Sequence, residues 1–162
     1  MMRMVSAGMS LFHGSSDTNT PYDDLHQLTA PDIDLNDFHF SSLKEQDFAT
    51  LEEAFAGKGL AIVAFPCNQF LSQEPGTNQE IKKFAREKGF KGVLMDKVDV
   101  NGPKASPVYN FLKAASGDES PITWNFAKFL VKKDGTVFAR YGPASMAVEL
   151  TPHIEKLLAE GN

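Results

Sequence analysis

The sequence predicts one α/β domain of three layers, with helices on both faces of a mixed sheet whose middle strands run parallel and whose edge is an antiparallel hairpin. Three observations predict it. Helix-period and strand-period segments alternate along the chain. One run, Leu60-Ala61-Ile62-Val63-Ala64-Phe65, is apolar throughout, as strands covered on both faces are. Two later strands flank Asp134-Gly135, a dipeptide that supplies the positive φ angles of a tight turn. With 162 residues, 42% of them apolar, the chain has material for one core without disulfides or a structural metal.

Residues 1–24 are expected to form a disordered amino-terminal extension, and residues 25–162 the domain. His13-Gly14-Ser15-Ser16-Asp17-Thr18-Asn19-Thr20-Pro21 is polar and aperiodic, and the stretch before it has one basic residue and a short apolar run, a faint likeness to a targeting segment. Leu28-Thr29-Ala30 and Phe38-His39-Phe40 bracket an Asp-rich loop and read as a small hairpin. Leu43, Phe48, Leu51 and Phe55 recur near helical spacing, and Gly57 and Gly59 stop that helix. After the 60–65 strand, Thr77-Asn78-Gln79-Glu80 matches a capping box, so a helix runs from there to Gly89. Residues 93–100 read as the next strand. Ser106-Pro107 is an N-cap followed by proline at the first helical position. Residues 126–132 and 136–141 form the edge hairpin, and Thr151-Pro152 opens a last helix carrying Ile154, Leu157 and Leu158.

Charge and cysteine content narrow the function. Lys and Arg total 16 against 21 Asp and Glu, a net charge of −5, which argues against a nucleic-acid partner. No apolar run reaches the ~18–20 residues of a membrane span. The single cysteine, Cys67, forbids an internal disulfide and a multi-cysteine zinc site, and it fits a reducing compartment, which places the chain in the cytoplasm with organelle targeting as the alternative. His13, His26, His39 and His153 lack metal-ligand spacing, and no phosphate-binding glycine loop or nucleophile elbow occurs. Neither a metal nor a prosthetic cofactor is expected.

Open α/β sheets place their sites at the carboxyl ends of parallel strands, so the segment after Phe65 is the first candidate. It reads Pro66-Cys67-Asn68-Gln69-Phe70-Leu71-Ser72-Gln73-Glu74-Pro75-Gly76. Its amides either bind a ligand or satisfy loop backbone. Cys67 is either a thiolate nucleophile or a small apolar residue at the core's edge; no Lys, Arg or His stands within five residues to lower its pKa, which favours the second. The other candidate is Ile122-Thr123-Trp124-Asn125-Phe126, where an indole N–H and an amide enter the edge hairpin together and could stabilise an anionic oxygen or sulfur.

Phe65-Pro66-Cys67-Asn68-Gln69-Phe70, Gln73-Glu74-Pro75-Gly76, Lys97-Val98-Asp99-Val100-Asn101-Gly102 and Trp124-Asn125-Phe126-Ala127-Lys128-Phe129-Leu130-Val131 together resemble the glutathione peroxidase family. The resemblance runs in order from about Leu28 to Leu158. It implies a thioredoxin-like fold and an antioxidant peroxidase that reduces hydrogen peroxide or lipid hydroperoxides, with glutathione or a thioredoxin-like protein as reductant. It assigns site roles to Gln73, Trp124 and Asn125. The family's peroxidatic cysteine or selenocysteine has no counterpart: the chain passes from Lys44 through Glu45-Gln46-Asp47 to Phe48 where that residue and its strand belong. The sheet is therefore expected to lack one central strand, as a splice form or a gene model stepping around a UGA codon would. Two other readings stay open, an inactive thioredoxin-fold binding or regulatory protein and a peroxidase with Cys67 as replacement nucleophile.

Overall fold

The computed structural model describes residues 2–7, 29–31, 37–39, 48 and 50–160. Its main sheet has five strands: β1 (Met2–Ala7), β4 (Leu60–Phe65), β5 (Val93–Leu94), β6 (Ala127–Val131) and β7 (Val137–Tyr141), in the order β5-β4-β1-β6-β7. β1, β4 and β5 run parallel, whereas β6 is antiparallel to both β1 and β7. The small hairpin expected near residue 30 is present as β2 (Thr29–Pro31) and β3 (Asp37–His39), with Ala30 opposite Phe38. The helices are α1 (helical at 48 and 50–54), α2 (Asn78–Glu87), α3 (Pro107–Ser116) and α4 (Ala147–Glu160).

The side-chain period of two divides the core between the faces of the sheet. Ile62 and Ala64 of β4 and Leu130 of β6 join Phe48, Leu51 and Phe55 of the α1 segment, Ala85 of α2, and Leu150 and Ile154 of α4. On the other face Phe65, Ala127, Phe129 and Val131 pack with Tyr109 and Leu112 of α3. Each fully buried side chain of this size contributes roughly 1.5–3 kcal/mol of transfer free energy. The helix starts follow the sequence: Thr77 and Glu80 form the reciprocal capping box of α2, and Ser106 caps α3 ahead of Pro107.

The structure departs from expectation at three strands or helices. The sheet does not lack its centre, because Met2–Ala7 occupies that position, and within residues 1–24 this segment is a strand and not part of a disordered extension. The driving force is pairing: without it β4 and β6 would each present an open inner edge of unpaired N–H and C=O groups. Residues 8–24 lie outside the described residues, as does the junction from Lys44 to Asp47. β5 spans only Val93–Leu94 instead of residues 93–100, although the Met95 N–H still donates to Ala64 O and the Val98 N–H to Pro66 O. α4 begins at Ala147, four residues before Thr151, so Pro152 lies inside it. The proline is tolerated because the carbonyl it leaves without a helical donor belongs to exposed Val148, where water can reach it.

Candidate functional site

The loop after β4 is shaped by its own amides. Gln69 Oε1 accepts the N–H groups of Val100 (2.7 Å) and Asn101 (2.9 Å), while its Nε2 donates to Asn101 O at 3.0 Å. Asn68 Oδ1 accepts the Glu74 N–H at 2.9 Å. Asn101 then exchanges two 2.8 Å bonds with the backbone of Ile122, carrying the brace to the segment before β6. Asn68 and Gln69 thus satisfy loop backbone. Leu71 and Ser72 both adopt left-handed φ angles, 49° and 55°, which turn the chain so that Gln73 faces the second segment.

There the sequence candidates meet. Asn125 Nδ2 donates to Gln73 Oε1 at 2.9 Å, and the Trp124 ring lies 6.0 Å from the Phe70 ring, centroid to centroid. Asn125 is 2% exposed, and its Oδ1 is buried with no hydrogen-bond donor among the described residues. Gln73 and Trp124 are half-buried, open to solvent on one side. Phe126 follows with a left-handed φ of 64°, an uncommon conformation for an aromatic residue, and it reverses the chain from the site into β6. The cluster stands at the carboxyl end of β1, whose last residue Ala7 pairs with Phe65 on one side and Ala127 on the other. Gly8, Met9 and Ser10 come next in sequence and include no thiol.

Cys67 stands apart from this group. It is 1% exposed, packed in the apolar cluster with Phe65, Phe70 and Tyr109, and its Sγ donates to Gln69 Oε1 across 3.8 Å. Burial pushes its thiol pKa up, and the charges of Asp99 and Glu74 push the same way, against an opposing backbone contribution from Gln69 and Val100. A raised pKa lowers the thiolate fraction at neutral pH, opposite to what a nucleophile needs.

Two buried polar residues at this end of the sheet are absent from the sequence-derived candidates. Glu74, 1% exposed, follows Gln73 directly. Lys128, three residues after Asn125, sends Nζ inward to Pro143 O (3.2 Å) and Ser145 O (2.6 Å), over the Phe48 ring. Strand alternation was the available signal for Lys128, since it shares a face with Phe126 and Leu130. Among the described residues no group of three or more His, Cys, Asp or Glu could hold a metal ion, and no helix is long and apolar enough to cross a membrane.

A family model described as glutathione peroxidase matches residues 39–113. "Glutathione peroxidase 1, mitochondrial" of Chlamydomonas reinhardtii is 48% identical over 179 positions, covering 97% of this chain and 89% of that protein. The chain belongs to the glutathione peroxidase family. Members of this family are oxidoreductases that reduce peroxides. The alignment with the algal glutathione peroxidase is longer than the 162 residues available here, so that relative carries residues with no counterpart in this chain. "Phospholipid hydroperoxide glutathione peroxidase, chloroplastic" of Pisum sativum is 51% identical over 117 residues, 70% of this chain but 49% of its own length. The crystal structure of T. cruzi GPX1 superposes with a TM-score of 0.62 at 23% identity, covering 98% of this chain and 82% of that one, which establishes a shared thioredoxin-like fold.

Proposed function

We propose that this glutathione peroxidase family chain reduces hydroperoxides at the Gln73–Trp124–Asn125 cluster, with the attacking thiol brought by the reductant. The observation that carries this reading is the 2.9 Å bond from buried Asn125 Nδ2 to half-buried Gln73 Oε1, which fixes the Gln73 amide against the Trp124-Asn125 segment. Commitment of Gln73 Oε1 to Asn125 orients its amide N–H₂ as a donor, and the Trp124 indole N–H is a second donor. Together they stabilise the charge that grows on the leaving oxygen. A thiolate of glutathione or of a thioredoxin-like protein attacks the other oxygen. The O–O bond breaks, the alkoxide takes a proton to leave as alcohol, and the thiol becomes a sulfenic acid. A second thiol condenses with it, releasing water and a disulfide. The substrate class is hydrogen peroxide or lipid hydroperoxide, and no prosthetic group takes part. Cys67 is a core residue on this reading.

Hydroperoxide consumption with glutathione, measured beside a cooperative melting curve, tests the proposal. Consumption above the uncatalysed rate that persists in Cys67→Ser supports it. Loss of activity in Cys67→Ser with the melt intact would assign the nucleophile to Cys67. A folded chain that binds but does not turn over peroxide is the second reading, favoured by the burial of the lone thiol. We place the protein in a reducing compartment, the cytoplasm or an organelle; two relatives carry mitochondrial and chloroplastic names. Subcellular fractionation distinguishes them.

A further inference from the structure

We infer that Met2–Ala7 is a keystone strand, so that loss of the first eight residues destroys the sheet. β1 is paired along both edges: six residues match Leu60–Phe65 in parallel and five match 127–131 antiparallel. Among the described residues no other strand joins β5-β4 to β6-β7. Without β1 two separate two-stranded ribbons remain, one of them paired over only two residues, and isolated two-stranded ribbons are marginal in water at best.

The consequence reaches both cores and the site. Neighbouring strands lie ~4.8 Å apart, so β4 and β6 are held roughly two strand spacings from each other by the strand between them. Both apolar clusters are built across that separation, Ile62 with Leu130 on one face and Phe65 with Phe129 on the other. The 2.9 Å bond between Asn125 and Gln73 spans it too, because Asn125 precedes β6 and Gln73 follows β4. The inference is independent of the proposed chemistry, and its test reads folding alone.

Hydrogen exchange followed by mass spectrometry on the full chain is the primary test. Amides of residues 3–7 should be protected to the same order of magnitude as those of residues 61–65 and 128–131, since strands of one cooperative sheet open together. A chain starting at Met9 should lose its cooperative thermal transition. Val5→Pro, which removes a ladder donor from the central strand, should lower the melting temperature sharply in the full chain. Exchange of residues 3–7 at unprotected rates while residues 61–65 stay protected would overturn the inference. So would a truncated chain that melts where the full chain does, or a full chain in which no strand is protected.

Discussion

Asn125 Nδ2 and Gln73 Oε1 are hydrogen-bonded at 2.9 Å although 52 residues separate them in sequence. The two side chains differ in what surrounds them. Asn125 is buried beneath the site, whereas Gln73 is open on one side, so losing the bond costs more stability at Asn125, while Gln73 is the end exposed to the proposed substrate. Asn125→Ala removes a buried bond and is expected to cost about 1–2 kcal/mol, or roughly 3–6 °C in Tm. Gln73→Ala should change Tm far less yet lower hydroperoxide reduction by at least ~10-fold, because on the proposed mechanism it deletes a donor to the leaving oxygen. Differential scanning calorimetry beside a glutathione-coupled peroxide assay separates the effects. Equal losses of Tm in both variants would contradict the division of roles.

Tyr109 and Cys67 make the protein sensitive to alkali. Burial holds the Tyr109 hydroxyl well above its usual pKa, and burial likewise raises the Cys67 thiol. In each case the folded chain keeps a proton that the unfolded chain releases more readily. The stabilisation is complete below the unfolded values, about 8.5 for Cys and 10 for Tyr, and is lost as pH rises from there toward the folded values. Tyr109 O–H also has no hydrogen-bond partner among the described residues, so Tyr109→Phe should leave Tm at pH 7 unchanged or raised. It should also flatten the decline in Tm above pH ~10. Thermal melts of the parent and Tyr109→Phe between neutral and strongly alkaline pH check both effects. A large loss of Tm at pH 7 would show that the hydroxyl does have a partner.

Local chemistry was legible where one segment decides its own conformation. The Thr77 and Glu80 pair, Ser106-Pro107 and Asp134-Gly135 fixed two helix starts and a hairpin, although only Gly135 and not Asp134 takes the expected positive φ, because caps and turns are settled within a few residues. Met2–Ala7 was not legible. Met-Arg-Met-Val-Ser-Ala has neither strict alternation nor a continuous apolar run, and its conformation comes from two edges contributed by residues about 60 and 125 positions away. The α4 boundary was missed for a related reason: proline suits a first helical position, but Thr151 Oγ1 back-bonds to Ala147 O at 2.9 Å within a turn that starts earlier. Gln73, Trp124 and Asn125 were legible through family resemblance. Residue types alone did not separate Gln73, which meets Asn125, from Gln69, which braces its own loop, because that distinction depends on two left-handed residues between them.

The α2 capping box couples helix stability to acid. Thr77 Oγ1 accepts from the Glu80 N–H, and the Thr77 N–H donates to Glu80 Oε2 at 2.7 Å. The Thr77 N–H first, and then the Thr77 hydroxyl, which donates to the same Oε2 at 2.9 Å, hold the Glu80 carboxyl below its ordinary pKa. A lowered folded pKa means that the cap's ionic contribution is present above the unfolded value, about 4.3, and disappears as pH falls through the folded one. Thr77→Ala should cost about 1 kcal/mol at neutral pH. Glu80→Gln should show a smaller loss that vanishes at acid pH, where the parent carboxylate is itself protonated. Chemical denaturation at neutral and acidic pH measures both, and a Glu80→Gln deficit independent of pH would count against the ionic part of the cap.

Gly92 is required by space. A Cβ at this position would stand 2.6 Å from Ile62 O, Glu52 Oε1 and the Phe90 ring. The Glu52 carboxylate could swing aside, since it lies at the end of a flexible chain, but it accepts the Lys91 N–H at 2.8 Å and would give up that bond. Ile62 O cannot retreat without moving β4, and Phe90 is buried. Arg86, meanwhile, donates to the Phe90 and Gly92 carbonyls and clamps the turn from outside. Gly92→Ala is therefore expected to destabilise by roughly 1–3 kcal/mol, the range for overpacking a filled site. Gly89→Ala is the informative control. Nothing lies within 4 Å of its added Cβ, but its φ of +87° strains any side chain, so its cost is conformational instead of steric. Adding Glu52→Ala to each variant separates the two mechanisms. The double variant should recover part of the Gly92→Ala loss, by relieving one of three contacts, and none of the Gly89→Ala loss. Additive losses in both double variants would show that Glu52 is not part of the obstruction.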